Sequence, residues 1–206
     1  PSGAFRGFGA PQVIFGIEQF MNRLAAEAGI SSLAFKQQYF LKKGDTTSTG
    51  GKMWANVKIR EVVDKITGMS AYKQKKKTPG KNRGIGISLF LHGCGFTGKG
   101  EVDISGEVIL KKQGNKVSIL TSNVEMGQGA STTLIKIVAH SLSIPEKDVD
   151  FVKQDTDAVP DSGPTVASRT AMIIGGLVKK ACNKLLDKWG QEEAEVKEVY
   201  KHPEYV

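Results

Sequence analysis

The residues best suited to hold a ligand lie in four loops that are rich in glycine or in hydroxyl side chains. The loops are residues 3–12 (GAFRGFGAPQ), 93–100 (GCGFTGKG), 125–129 (EMGQG) and 155–170 (DTDAVPDSGPTVASRT). Glycine lets a ligand approach the backbone, and free amides at a helix start attract anions or electronegative oxygens. Because three of these loops lead into predicted helices, the sequence predicts a pocket for a ligand that carries oxygen or phosphate groups.

Three of the four loops also have a purely structural interpretation. Phe8 lies between two glycines and can plug a neighbouring core instead of facing a ligand. Residues 93–100 can form a plain hairpin loop, and residues 155–170 can simply cap the last predicted helix. The prediction of a ligand pocket therefore rests on the four loops taken together and not on any one of them.

Zinc, calcium and common nucleotide sites are not predicted. His92 and Cys94 lack a second pair of zinc ligands, and Pro160 interrupts the aspartates that a calcium loop would need. Residues 125–129 lack both the Lys-Ser/Thr ending of a phosphate-binding P-loop and the third glycine of a dinucleotide fingerprint.

The composition predicts a folded, water-soluble protein without a membrane span. Of the 206 residues, 39% are hydrophobic and 24% are charged. The longest apolar runs are far shorter than the roughly 20 residues that cross a bilayer. Two cysteines, Cys94 and Cys182, without disulfide spacing favour a reducing, cytoplasmic compartment. The chain opens at Pro1 without a methionine or an apolar signal, which is typical of a piece of a longer protein.

The net charge of +8 is compatible with nucleic acid, an anionic cofactor or an acidic partner. The densest basic run, Lys73 to Lys81, contains Pro79 and Gly80 and is interpreted as a solvated linker. A basic, non-enzymatic nucleic-acid-binding module is the alternative from a different functional class. It explains none of the four loops, so we expect neither nucleic acid nor a membrane as a partner.

The hydrophobic spacing changes along the chain from a helical period to a strand period. The helical period predicts helices at 11–28, 32–41 and 58–67. The later part predicts strands at 84–91, about 102–110, 116–121 and 149–152, with helices at 132–142 and 167–189. The Gln113-Gly114-Asn115 turn joins two of these strands into a hairpin. The fold class is therefore α+β, with a boundary near residue 80.

In this order and at these separations, the loops resemble the molybdenum-binding subunit of the xanthine dehydrogenase and aldehyde oxidase family. The most specific segments are residues 4–12, 125–129 and 164–170, supported by 83–86 and 95–98. The resemblance implies that residues 1–80 are the C-terminal, mainly helical part of a first molybdenum-cofactor-binding domain. Residues 81–206 would then be the N-terminal part of a second, α+β domain with a hairpin-containing mixed sheet.

The same resemblance implies roles for individual residues and a convergence of the four loops. The substrate pocket would include Phe8, Phe96 and Thr97. The cofactor contacts would be Arg6, Gly7, Phe8, Gly127, Gln128, Gly129, Ala167, Ser168, Arg169 and Thr170. No protein side chain would ligate the metal directly. The general-base glutamate is expected beyond Val206, so the resemblance places no catalytic residue in this chain and we expect it to be inactive alone.

The activity implied is that of a molybdenum hydroxylase, which oxidises a purine-like N-heterocycle such as xanthine with oxygen from water. An aldehyde or nicotinate-type hydroxylase of the same family is the alternative. The copper-containing carbon monoxide dehydrogenases are disfavoured, because residues 5–9 (FRGFG) lack their loop cysteine. The implied cofactor is a molybdenum-pterin, in its cytosine dinucleotide form if the protein is bacterial. Iron-sulfur clusters and FAD would lie on partner domains or subunits.

Overall fold

A computed structural model of the chain describes residues 6–48, 50–96 and 98–202. The chain divides into two compact units, unit 1 (Pro1–Leu91) and unit 2 (His92–Val206). Residues 81–91 therefore belong with the first unit, whereas the sequence predicted a boundary near residue 80. The assignment of the two parts to two cofactor-binding domains stays a prediction.

Unit 1 is built from four helices. They are α1 (Ala10–Glu27), α2 (Ser32–Gln37), α3 (Ile59–Met69) and α4 (Tyr72–Lys77). Pro11 lies in the first turn of α1, where a missing amide hydrogen costs nothing. The Ser31 hydroxyl accepts a hydrogen bond from the Ala34 amide and caps α2. The predictions of α1 and α3 are confirmed, while α2 ends at Gln37 and not near Leu41.

The lysine-rich segment interpreted as a linker is partly helical. Helix α4 contains Lys73 to Lys77, and all its lysines are exposed. Tyr72 is buried at the start of the helix and anchors it. Lysine and glutamine have good helix propensity, which explains why the run forms a helix. Solvation was predicted correctly for this segment, but its helical conformation was not.

The buried strand predicted at residues 84–91 is wrong in two respects, because the segment is extended but belongs to no sheet and is only half-buried. Ile85, Ile87 and Leu89 are half-buried while the residues between them are exposed, which is the period of a strand with one covered face. A buried ion pair takes the place of a neighbouring strand, since Glu18 accepts from the Leu89 amide at 2.9 Å and Lys36 donates to the Ile87 carbonyl at 3.4 Å.

Unit 2 contains a four-stranded mixed sheet with the order β3-β2-β1-β4. The strands are β1 (Glu107–Gln113), β2 (Lys116–Leu120), β3 (Val149–Phe151) and β4 (Glu193–Val199). β1 pairs antiparallel with both β2 and β4, and β2 pairs parallel with β3. The helices are α5 (Ala130–Leu142) and α6 (Gly175–Leu186), with a π-helical turn (Thr170–Ile174) before α6. The predicted α+β class, the hairpin and the mixed sheet are confirmed.

The core of unit 2 lies between the sheet and helices α5 and α6. Alternate side chains of β1 point into it, so that Val108 and Leu110 are fully buried. Leu134 of α5 and Val178 and Leu185 of α6 are also fully buried. In the described part of the chain, no helix has both the length and the apolar character needed to cross a bilayer.

Two parts of unit 2 differ from the sequence-based prediction. The strand expected from residue 102 begins only at Glu107, because a 3₁₀ turn (Gly98–Glu101) and further turns occupy the residues before it. Strand β4 was not predicted, since its composition is mostly charged. Its position at the edge of the sheet explains that composition, because Glu195 and Lys197 form ion pairs with Lys111 and Glu107 of β1.

Candidate functional site

Three of the four glycine-rich or polar loops lie in unit 2 and are hydrogen-bonded side by side. The Gly95 amide donates to the Ala167 carbonyl at 2.7 Å, which joins the second loop to the fourth. The Val124 amide donates to the Thr165 hydroxyl at 2.9 Å, which joins the stretch before the third loop to the fourth. The loop containing Gly7 belongs to unit 1, so its convergence with the others stays a prediction.

A buried polar network fixes the third and fourth loops to the end of the sheet. The Ser162 hydroxyl lies 2.8 Å from that of Thr121 and donates to the Glu107 carbonyl at 2.7 Å. It also accepts from the Ser122 amide at 3.0 Å, and Thr121 donates to Asn123 at 2.8 Å. Such networks are rigid when every member is satisfied. These residues were not predicted from the sequence, although polar side chains directly after a buried strand were a usable signal.

The most deeply buried charged side chain is that of Arg169, which has no exposed surface. Its Nε lies 3.0 Å from both carboxylate oxygens of Glu101. Nη1 donates to the carbonyls of Ser162 and Pro164 at 3.2 and 3.4 Å, and Nη2 donates to the Ser105 carbonyl at 3.0 Å. All three guanidinium nitrogens are thus bonded within the chain.

This geometry changes the interpretation of Arg169, which the sequence analysis predicted as a cofactor contact. Its buried side chain is occupied by protein acceptors, and its backbone amide donates to the Val166 carbonyl at 2.9 Å. The sequence analysis also missed Glu101, which is 4% exposed. A glutamate directly after a glycine-rich loop gave no sign of burial, because glutamate is almost never buried unless it is paired.

The third loop is closed by its own glutamate. The Glu125 carboxylate accepts from the amides of Gly127, Gly129 and Ser131 at 2.8 to 3.0 Å. These hydrogen bonds, led by those from Gly129 and Ser131, lower the pKa of the Glu125 carboxyl to about 2. The amides at the start of α5 are therefore already bonded to an internal anion, where the sequence suggested that they were free for a ligand.

Gln128 is partly turned back onto the same loop. Its Oε1 accepts from the Met126 amide at 2.5 Å, and its Nε2 donates to the Val124 carbonyl at 2.9 Å. Gly127 and Gly129 have no atom within 4 Å of the place where a Cβ would stand. The loop therefore presents bare backbone to open space, which suits a flat ligand lying against it.

The backbone of the fourth loop is strained immediately before Arg169. Ala167 and Ser168 have φ values of 52° and 60°, in the left-handed region that residues with a side chain rarely adopt. Ser168 is exposed, and Thr170 begins the π-helical turn half-buried. Strained non-glycine residues cluster at functional sites, where the surrounding contacts hold them in place.

The two aromatic residues predicted to face substrate are both exposed within this chain. Phe96 is 38% exposed, and its amide donates to Glu101 at 2.8 Å. Phe8 is 70% exposed, with a φ of 52°, so its ring does not fill a core within the described residues. Arg6 is exposed and Gly7 half-buried in the turn before α1. Thr97 and residues 1–5 lie outside the described part of the chain.

Replacing Glu125 by glutamine is expected to loosen the third loop without unfolding unit 2. The variant loses the charge that holds three backbone amides, and only one carbonyl oxygen remains to accept from them. We expect faster hydrogen exchange at Gly127, Gly129 and Ser131, measured by mass spectrometry, with unchanged protection in β1 and β2. Glu146→Gln, a change in the 3₁₀ turn before β3, is the matched control.

The low pKa of Glu125 also predicts the pH dependence of this loop. A carboxylate whose pKa falls on folding stabilises the folded state fully above its ordinary value of 4.5, and this contribution is lost as the pH falls towards about 2. Protection factors at the three amides should therefore hold between pH 7 and 5. A loss of protection between pH 7 and 5 would contradict the hydrogen bonds described above.

The comparisons with known proteins identify the family of this chain. Two family models, both described as "Molybdopterin cofactor-binding domain", match residues 58–203 and residues 1–40. The chain belongs to the molybdopterin cofactor-binding domain family. In the described residues of this family member, no three His, Cys, Asp or Glu side chains are grouped so that they could hold a metal ion.

Individual relatives of this family member carry two kinds of name. The xanthine dehydrogenase molybdenum-binding subunit of Escherichia coli O157:H7 is 28% identical over 195 residues, which are 91% of this chain and 26% of the relative. The aldehyde oxidoreductase of Megalodesulfovibrio gigas is 30% identical over 191 residues, which are 89% of this chain and 20% of the relative. The chain thus spans about a quarter or less of the length of these relatives.

The fold also matches a solved structure. The aldehyde oxidoreductase from Desulfovibrio desulfuricans ATCC 27774 superposes with a TM-score of 0.72 at 24% identity, covering 96% of this chain and 24% of that one. This likeness shows the fold of a molybdopterin cofactor-binding family member and carries no statement about substrate.

The residues present in unit 2 fit a pterin cofactor. Pterin and phosphate groups offer oxygen and nitrogen atoms that pair with backbone amides, carbonyls and hydroxyls. The Gln128 side-chain amide, which has a second hydrogen beyond its bond to the Val124 carbonyl, and the exposed hydroxyl of Ser168 supply such partners, while the uncrowded backbone at Gly127 and Gly129 leaves room for a flat ring.

Proposed function

We propose that this chain is part of the molybdenum-cofactor-binding portion of a hydroxylase that oxidises a planar N-heterocycle. The observation that carries the proposal is the mutual bonding of the three loops of unit 2, each of which was picked out by sequence for ligand binding. When bound, the molybdenum cofactor supplies the redox chemistry that transfers oxygen from water to a carbon atom. Iron-sulfur and flavin components, on other domains or subunits, accept the electrons.

In this proposal the third and fourth loops bind the cofactor through the side chains of Gln128 and Ser168, while the uncrowded backbone at Gly127 and Gly129 leaves room for it. The side-chain amide nitrogen of glutamine carries two hydrogens. Gln128 can therefore donate one to the Val124 carbonyl and the other to a ligand. Ser168 contributes its exposed hydroxyl, and Ala167 and Thr170 flank it. Gly7 and Phe8 are proposed to lie beside the metal of the cofactor, and Arg6 is proposed to help fix their loop.

The aromatic residues favour a planar substrate over a small aldehyde. Phe96 and Phe8 each present a ring among glycines, and aromatic faces pack well against flat heteroaromatic rings. Thr97 is proposed to line the same pocket. Aldehyde oxidation remains the second candidate, because the relative from Megalodesulfovibrio gigas carries that name.

The experiment that tests the proposal is cofactor analysis of the intact protein copurified with its partner components. Molybdenum and pterin in amounts equimolar with the chain, the pterin being measured by its fluorescence, would support the proposal. Reduction of a dye by the enzyme with xanthine, nicotinate or quinoline as substrate would support it further. A protein without molybdenum that binds heparin in a salt-dependent way would instead support the nucleic-acid-binding alternative.

Replacing Phe96 by alanine in the intact enzyme is expected to lower kcat/KM for the heteroaromatic substrate. Lost stacking contributes about 1 kcal/mol beyond lost burial, which corresponds to a fall of roughly fivefold or more. Molybdenum content and the thermal unfolding temperature should stay near those of the wild type, because the ring is only partly buried.

Phe151→Ala is the matched control for this prediction. Phe151 lies in β3 and packs against the core of unit 2, so its loss should lower stability while leaving KM unchanged. If Phe96→Ala lowers stability with an unchanged KM, as the control does, or if it loses its molybdenum, Phe96 is structural. The proposal that its ring faces the substrate is then wrong.

A further inference from the structure

The ion pair between Glu101 and Arg169 joins separate segments of unit 2 at one buried point. Glu101 accepts from the Phe96 amide at 2.8 Å, while Arg169 donates to the Ser105 carbonyl before β1 and to two carbonyls of the fourth loop. The two residues are 68 positions apart in the chain. One guanidinium and one carboxylate therefore tie the loop of Phe96 to the loop of Ser168.

The position of this ion pair bears directly on the strained backbone. Ala167 and Ser168 immediately precede Arg169 in the left-handed region, and the Ala167 carbonyl accepts from the Gly95 amide at 2.7 Å. The neighbouring amide of Phe96 donates to the Glu101 carboxylate. Two adjacent amides thus donate to the fourth loop and to the ion pair beside it. Losing the bonds of Arg169 should therefore free the two loops to shift relative to each other.

A buried ion pair is by itself weak evidence for a contribution to stability, because removing two charges from water offsets much of their attraction. Here the pair also satisfies three backbone carbonyls and one amide that apolar side chains would leave unpaired. Because it is bonded to both loops, the pair fixes the spacing between them. Lysine cannot reproduce it, because an ammonium group lacks the planar, forked donors of a guanidinium.

We propose that Glu101 and Arg169 are positioning residues that set the spacing between the Phe96 ring and the Ala167–Ser168 backbone, and so determine how a planar substrate is seated. This inference rests on the proposed function, in which Phe96 faces substrate and the fourth loop holds the cofactor. Neither residue touches substrate. They act through the loops to which they are bonded.

The test uses the intact enzyme with Arg169→Lys, Glu101→Gln and, as control, Leu185→Ala. Leu185 is fully buried near the end of α6, whereas the paired loops lie before the start of that helix. The control therefore lowers the stability of unit 2 away from the loops. Each variant is assayed with its heteroaromatic substrate and with acetaldehyde, and its molybdenum content and amide hydrogen exchange are measured.

We expect Arg169→Lys to raise KM for the heteroaromatic substrate about tenfold, since misplacing groups by a fraction of an ångström has effects of this order. Molybdenum content and KM for acetaldehyde should change little, and Glu101→Gln should show the same split to a smaller degree. The amides of Gly95 and Phe96 should exchange faster in both variants and not in Leu185→Ala.

Three results would overturn the inference. Equal changes for both substrates, matching those of Leu185→Ala, would mean that the pair is only structural. Loss of molybdenum from Arg169→Lys alone would mean that it serves cofactor binding and not the seating of substrate. Unchanged hydrogen exchange at the amides of Gly95 and Phe96 would show that the ion pair does not link the two loops. This result would overturn the inference even if the wild type held no molybdenum, that is, even if the proposed function were wrong.

Discussion

Gly163→Ala is expected to destabilise unit 2 by about 4 kcal/mol, the sum of a strained backbone conformation and a steric clash. Gly163 has a φ of +72°, which disfavours any side chain. An added Cβ would lie 2.4 Å from the Ser105 carbonyl oxygen and 2.7 Å from Nη1 of Arg169. The backbone oxygen cannot swing away, because it accepts from Nη2 of the same arginine.

Native-state hydrogen exchange at the amides of β1 and β2 measures this effect, because these strands report the opening of unit 2 as a whole. A loss of 4 kcal/mol corresponds to exchange faster by about a thousandfold. Gly176→Ala is the matched control, since Gly176 lies in α6 with no atom within 4 Å of its Cβ position. That change should be neutral or stabilise by up to about 1 kcal/mol. Equal exchange in the two variants would contradict the close packing around Gly163.

The long periodic elements of this chain were predictable from sequence because one physical pattern dominates each of them. Helix α1 shows apolar residues every three or four positions, and the β1–β2 hairpin shows alternation around a glycine turn. Strand β4 was missed because its charges are balanced by β1, a partner at least 80 positions away in the chain. A local pattern carries no information about such a partner.

The candidate site was predictable as a set of loops but not in its internal bonding. Glycine spacing and hydroxyl residues singled out the segments that the structure brings together in unit 2. The sequence did not indicate that Glu125 would bind the amides of its own loop, or that Arg169 would face inward to Glu101. In both cases a charged residue assigned to solvent or ligand by its type is satisfied by partners within the fold.

Residues 84–91 also have bonding partners that could not be predicted from the sequence. The apolar run at residues 84–91 predicted a buried strand, whereas the structure shows an extended backbone in which half-buried Ile85, Ile87 and Leu89 alternate with exposed residues. Alternation does not specify what bonds to the strand edge, and here Glu18 and Lys36 do so in place of another strand. The ion pair of Glu18 and Lys36 is therefore expected to stabilise unit 1.

Lys36→Met is expected to destabilise unit 1 by about 3 kcal/mol or more, because it leaves the carboxylate of Glu18 buried without its partner. The Lys36 ammonium lies 2.8 Å from Glu18, and their side chains are only 3% and 10% exposed. The variant also loses the hydrogen bond to the Ile87 carbonyl, which should free the extended segment. Hydrogen exchange in α1 and thermal unfolding of the intact protein measure the loss.

The double variant Glu18→Gln with Lys36→Met separates the unpaired charge from the lost packing. Glutamine keeps an oxygen that accepts from the Leu89 amide, so the double variant should recover most of the stability lost in Lys36→Met alone. Lys58→Met breaks an ion pair whose side chains are exposed and should leave α1 unchanged. If the double variant is no more stable than Lys36→Met alone, the aliphatic stem of Lys36, and not its charge, supports unit 1. Recovery would instead show that the uncompensated charge of Glu18 causes the loss of stability in Lys36→Met.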